Sequence, residues 1–186
     1  MNWDLIPEVF FDLIARVFPG SILLVGMLAV RFGPAGFSQV VEERLPSANS
    51  TFLLLFGLLA YFVAIVMKEF WESLAAIPPR KGQDRRPPSG QLLVIQKRIP
   101  SEASRLRKLQ AEKNMCEVLV PGLAILLLGN LWMILAGNSG DLGERVALAA
   151  VFLTSGVACW RWRRRLERLY REDLADALSA STLPGA

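Results

Sequence analysis

Apolar residues in this chain gather in long unbroken runs rather than at amphipathic intervals, and four runs divide it. Residues 45–67 are 23 uncharged positions ending in "TFLLLFGLLAYFVAIVM", and residues 118–140 are another 23, "VLVPGLAILLLGNLWMILAGNSG". At about 1.5 Å rise per residue, each covers the roughly 30 Å hydrocarbon core of a bilayer. The flanking runs are shorter, 14 residues from Val17 to Val30 and 15 from Val146 to Trp160, each bracketed by arginines: Arg16 and Arg31, Arg145 and Arg161. Length alone would lay them in the interface. Arginine, however, snorkels and lengthens a span, and Trp160 and Trp162 stand where an aromatic belt would anchor its end. The pattern predicts an all-α integral membrane protein with four transmembrane helices and cytoplasmic helical extensions. A two-helix form follows if the outer runs lie on the surface.

Polar segments set the orientation. Lys and Arg number eleven from Lys68 through Lys113 and six from Arg161 through Arg171, against two from Arg31 to Arg44 and Arg145 alone after Leu135. The positive-inside rule puts the central loop and both termini in the cytoplasm. The chain then divides into an amphipathic amino-terminal helix (1–18), a first transmembrane hairpin (19–67), a basic loop with a Pro-rich linker (68–115), a second hairpin (116–160), and an amphipathic helix with its tail (161–186).

Pro7 suits a helix start, and Glu8, Asp12 and Arg16 form one stripe opposite Ile6, Val9, Phe10 and Leu13. Pro19 cannot donate to the carbonyl of Ala15, so a helix break is expected at Pro19-Gly20. The same pair recurs as Pro121-Gly122, which suggests two hairpins related as parallel repeats. An alternative runs one tilted helix from Leu5 to Val30 with Asp12 and Arg16 turned inward. Beyond the second run, "PPRKGQDRRPPSG" reads as a linker, and "QLLVIQKRI" fits either a strand or a helical turn. Ser101 caps a helix that leads into the third run. After the fourth, Trp162, Leu166, Leu169, Tyr170, Ala177 and Leu178 recur at helical spacing, with a basic first half and an acidic second half. Such a helix either lies on anionic lipid or pairs with another helix. Glu172, Asp173 and Asp176 argue for a protein partner, because a negative leaflet repels them.

Composition sharpens this only in places. With 53% hydrophobic residues and a mean hydropathy of +0.36, the chain is too apolar for a water-facing domain. The pI near 9.4 follows from topology first, from attraction to anionic lipid second, and from nucleic-acid binding only as a distant third. No cleavable signal peptide is expected, since Asp4 and Glu8 replace a basic leader. Cys116 and Cys159 fall on the reducing side and read as packing residues.

Candidate chemistry is sparse. The absence of histidine removes histidine-based acid–base catalysis and His-ligated metal sites, and no P-loop, GxSxG or CxxC pattern occurs. Asp12 and Glu117 are the carboxylates nearest a membrane interior, better suited to ion pairing than to a catalytic dyad. Asp12 and Arg16 form a structural or pathway ion pair. Arg31, Glu117 and Arg145 are intramembrane interface candidates, and Trp162, Arg163, Arg164, Arg165, Leu166, Leu169 and Tyr170 form a partner or lipid interface. No enzymatic activity and no cofactor is expected.

The segment "DLIARVFPG", carried by Asp12, Arg16, Pro19 and Gly20, resembles the opening of small uncharacterised multi-span bacterial membrane proteins, some linked to phage defence. The resemblance implies a bacterial inner-membrane protein that works with partners, as an effector or sensor. The expected function is therefore self-association or recruitment of a soluble cytoplasmic protein, in contact with membrane lipids. The alternative is a small transporter or channel subunit with Asp12, Arg16 and Glu117 along its path.

Overall fold

The computed structural model describes residues 5–44, 49–75, 100–137 and 141–182, with side chains over 14–43, 49–73, 104–137 and 141–177. The linker, the "QLLVIQKRI" segment, the side chains of Glu8 and Asp12, and the last four residues lie outside these ranges. Four helices follow one another: α1 (Leu5–Arg44), α2 (Ser50–Ala75), α3 (Pro100–Leu135) and α4 (Leu142–Thr182). Each is long and apolar enough to cross a membrane, over Ile14–Glu43, Ser50–Ser73, Ser104–Leu135 and Leu142–Ala177. The two short runs gain their length because helix continues past the bracketing arginines.

α1 pairs with α2 and α3 with α4, and the bundle has a turn end, where Ala35 meets Glu144, and a terminal end, where Trp71 meets Trp160. α1 and α3 pack together at the centre, α2 flanks α1 and reaches α3, and α4 follows α3. Among the described residues, α2 and α4 do not approach through their backbones. The core joins all four helices through Leu23 (α1), Ala64 (α2), Val118, Leu119, Leu123 and Leu126 (α3) and Phe152 (α4).

Glycine sets the α1–α3 crossing reciprocally. A Cβ on Gly122 would come 2.4 Å from the Leu23 methyls, and one on Gly26 would come 2.4 Å from a Leu126 methyl. Each leucine fills the space the facing glycine leaves, which lets the backbones close without cavities. Outside the core, Leu53, Leu54 and Phe62 are each 62% exposed, and Val146, Leu153 and Val157 line α4 likewise. An apolar girdle of this extent suits hydrocarbon rather than water.

Three expectations change here. The backbone stays helical through Pro19-Gly20 and Pro121-Gly122; the non-helical residue is Gly33, at φ 77° and ψ 164°, just before Pro34. Proline inside a helix is tolerated where neighbouring helices and local adjustments accommodate the freed carbonyl, and Pro19 is almost fully buried. The Pro-Gly pairs are also unequal in use. Gly20 lies against the Ala60 backbone of its own hairpin, whereas Gly122 receives Leu23 from the other. Lastly, α4 is one continuous helix of 41 residues, and the helix that its carboxyl-terminal half pairs with is α3 of the same chain rather than a separate protein's. Beyond the girdle its apolar face packs on α3, burying Leu106, Leu166, Tyr170 and Ala177 with Leu109 and Leu174 alongside. Arg105 and Asp173 pair across this seam at 3.1 Å.

Candidate functional site

Polar side chains collect at the two ends of the bundle. At the turn end, the α1 break leaves backbone groups without their helical partners. Pro34 has no N–H for the carbonyl of Val30, and the left-handed conformation at Gly33 separates Ala35 N–H from Arg31. α4 supplies both replacements from adjacent residues. Arg145 donates through Nη1 to the Val30 carbonyl, and Glu144 Oε2 accepts from the Ala35 N–H at 3.3 Å.

Arg145 is only 4% exposed and Asn130 not at all. Asn130 Nδ2 donates to the Arg145 carbonyl at 2.9 Å, and Arg145 Nη1 also reaches Asn130 Oδ1 at 3.4 Å. The guanidinium therefore caps the carboxyl end of the first α1 segment, where the helix dipole favours a cation. The result is a clamp that ties α1, α3 and α4 together around one interruption.

At the terminal end, cations sit on aromatic faces. Glu117, buried on α3, meets Arg163 at 3.4 Å and Lys113 at 3.8 Å. The Arg163 guanidinium lies 4.8 Å from the ring centre of Trp71 on α2, and Trp71 meets Trp160 edge to face at 5.9 Å. These side chains bridge α2 and α4 where the backbones stay apart. Desolvated cation–π contacts of this kind are worth about 2 kcal/mol. Arg164 stacks on Trp160 at 4.9 Å and Arg165 on Trp162 at 5.7 Å.

The sequence candidates distribute as follows. Asp12 lies within α1, its side chain outside the described range. Arg16 donates to the Tyr61 hydroxyl at 3.1 Å and lies 5.5 Å from that ring's centre. Glu117 and Arg145 are buried at opposite ends, whereas Arg31 is exposed. Of the expected partner or lipid face, Leu166 and Tyr170 are turned onto α3 and Leu169 is half-buried. Arg163 is drawn to Glu117, leaving Trp162, Arg164 and Arg165 outward. Tyr61, Trp71, Glu144 and the Gly33-Pro34 break had no assigned role in the sequence. The dipeptide in "RFGPAG" was the available signal for the break.

Tyr61→Phe keeps the ring but removes the acceptor for Arg16, so stability in detergent is expected to fall by about 1 kcal/mol. An equally stable variant would shift the anchoring of Arg16 away from Tyr61.

Among the described residues, no group of three or more His, Cys, Asp and Glu side chains could hold a metal ion. The arrangement ties helices together at both ends of the bundle and leaves exposed cations at one of them. No family model matches the chain, and the comparisons with curated proteins and with solved structures give no match.

Proposed function

We propose that this chain is a non-enzymatic, multi-pass protein of the bacterial inner membrane, with both termini cytoplasmic, that couples its cytoplasmic helices to its spans. Through them it self-associates or recruits a soluble partner. The observation that carries the reading is the continuity of α3 and α4 from the apolar girdle into a packed two-helix stalk. A partner that shifts the stalk must move both spans with it. At the far end of α4 that movement arrives at Glu144 and Arg145, which hold the α1 break. The pivot is then Gly33-Pro34 rather than either Pro-Gly pair. A role as an effector or sensor in phage defence fits such coupling, and rests on the amino-terminal resemblance. Conduction is the competing reading. Arg16 and Glu117 favour it less, because each is engaged by protein groups within the bundle.

Two measurements test the proposal. Reporter fusions after residues 90 and 180 should give cytoplasmic signals, and one near residue 45 an external signal; an internal signal at 45 would overturn the topology. Leu166→Lys with Tyr170→Lys should open the stalk seam without blocking insertion, and crosslinked oligomers or a co-purified partner should fall at least severalfold. Unchanged association would remove the stalk from that role.

A further inference from the structure

Among the described residues, one charged face of α4 is exposed rather than packed against another helix. Arg161, Arg164, Arg165 and Arg168 are all exposed. At about 100° per residue they share one side of the helix, opposite Leu166, Tyr170 and Ala177, which face α3. Local carboxylates are committed elsewhere: Glu117 to Lys113 and Arg163, and Glu167 to Arg171 at 2.8 Å. Two of the four guanidinium groups are held against indole rings, Arg164 on Trp160 and Arg165 on Trp162. We propose that this face is a binding site for the phosphate headgroup of an anionic phospholipid in the cytoplasmic leaflet.

Position along α4 selects lipid over protein. The arginine face continues the line of Val146, Leu153 and Val157, which are 55%, 54% and 50% exposed and would lie along acyl chains. From Arg161 to Arg168 the helix advances about 10 Å, and with side chains that snorkel along the helix the four guanidinium groups can converge on a headgroup layer roughly 5–7 Å deep. The face then changes sign at Glu172, which is also exposed. On a helix lying flat, that carboxylate would meet the negative leaflet; on the upright stalk it stands about 6 Å farther out. The sign change thus marks where the headgroups end. Arginine suits the ligand, because its planar fork can give a phosphate two parallel hydrogen bonds.

The test uses the full chain in nanodiscs of equimolar phosphatidylcholine and phosphatidylglycerol, with lipid retained after mild detergent extraction quantified by mass spectrometry. Phosphatidylglycerol should be enriched about fivefold over phosphatidylcholine. R161Q/R164Q/R165Q/R168Q should retain the two lipids nearly equally, while Arg31→Gln, an exposed arginine near the other end, leaves the enrichment intact. Equal retention by the unmodified chain, or undiminished enrichment in the quadruple variant, overturns the site. So does loss of enrichment in millimolar inorganic phosphate, which would identify a free-anion site. Arginine-dependent binding of poly-glutamate in pure phosphatidylcholine discs, without lipid preference, would assign the face to an acidic protein and likewise overturn it. The inference rests on the membrane reading, which flotation with phosphatidylcholine vesicles checks separately. Protein that fails to float overturns both, whereas protein that floats without lipid preference overturns only the site.

Discussion

Arg145→Leu is expected to lower the stability of the detergent-solubilised protein by about 3 kcal/mol, the largest effect at any polar position. Leucine fills comparable space but leaves the Val30 carbonyl without a donor and takes one from Asn130 Oδ1. Asn130 is fully buried and Val30 partly so, and each then bears a desolvation penalty as an unpaired polar group, the larger at Asn130. Arg145→Lys should fall between, since it keeps a cation at the α1 segment end but loses the reach of Nη1, which serves both the Val30 carbonyl and Asn130 Oδ1. A second pair of substitutions isolates the cause. In Gly33→Ala/Pro34→Ala, residue 34 regains an N–H and α1 can close its own ladder through Val30. Arg145→Leu in that background should therefore cost much less than in the native chain. An undiminished loss would mean that Arg145 stabilises by packing alone, and an Arg145→Leu protein as stable as the native one would remove the clamp.

The fold was legible to the extent that membrane helices are written locally. Run length and the arginine brackets each concern residues near one another in the chain, and four helices long and apolar enough to cross a membrane follow. What the sequence left open depends on neighbours distant along the chain. Pro19-Gly20 reads as a break when α1 is considered alone. In the structure Gly20 instead lies directly against the α2 backbone at Ala60, and the actual break at Gly33 stands because α4 supplies substitutes for its lost hydrogen bonds. The amphipathic pattern after Trp160 was clear, but pattern cannot say whether the covering surface belongs to lipid, another protein or α3. Arg145 stands in the sequence as the bracket of an apolar run and an intramembrane interface candidate. Its partner Val30 is 115 residues away and is a backbone carbonyl, which no side-chain motif records.

Gly20→Ala is expected to be the most damaging single-methyl addition in the spans, because of what lies beyond the new atom. Its Cβ would stand 1.9 Å from the Ala60 carbonyl oxygen, a backbone group held within α2 that no rotamer change can move. Relief requires α1 and α2 to separate, and Ala60, fully buried at the crossing, then loses its packing. Overpacking at such a contact costs about 3 kcal/mol, well above the gain of up to about 1 kcal/mol that alanine brings as a helix former. Gly26→Ala meets one Leu126 methyl at 2.4 Å, which can rotate aside. Gly122→Ala meets both Leu23 methyls at 2.4 Å and the Leu23 Cγ at 3.0 Å, so that side chain must shift as a whole, though no backbone stands in the way. Smaller losses are expected there. At Gly57 nothing lies within 4 Å, so alanine should be neutral or slightly stabilising. Thermal unfolding of the four variants in one detergent should rank them with Gly20→Ala lowest and Gly57→Ala highest. A Gly20→Ala protein as stable as Gly57→Ala would mean that α1 and α2 do not cross at Gly20 and Ala60, and the bundle would have to be rebuilt around a different crossing.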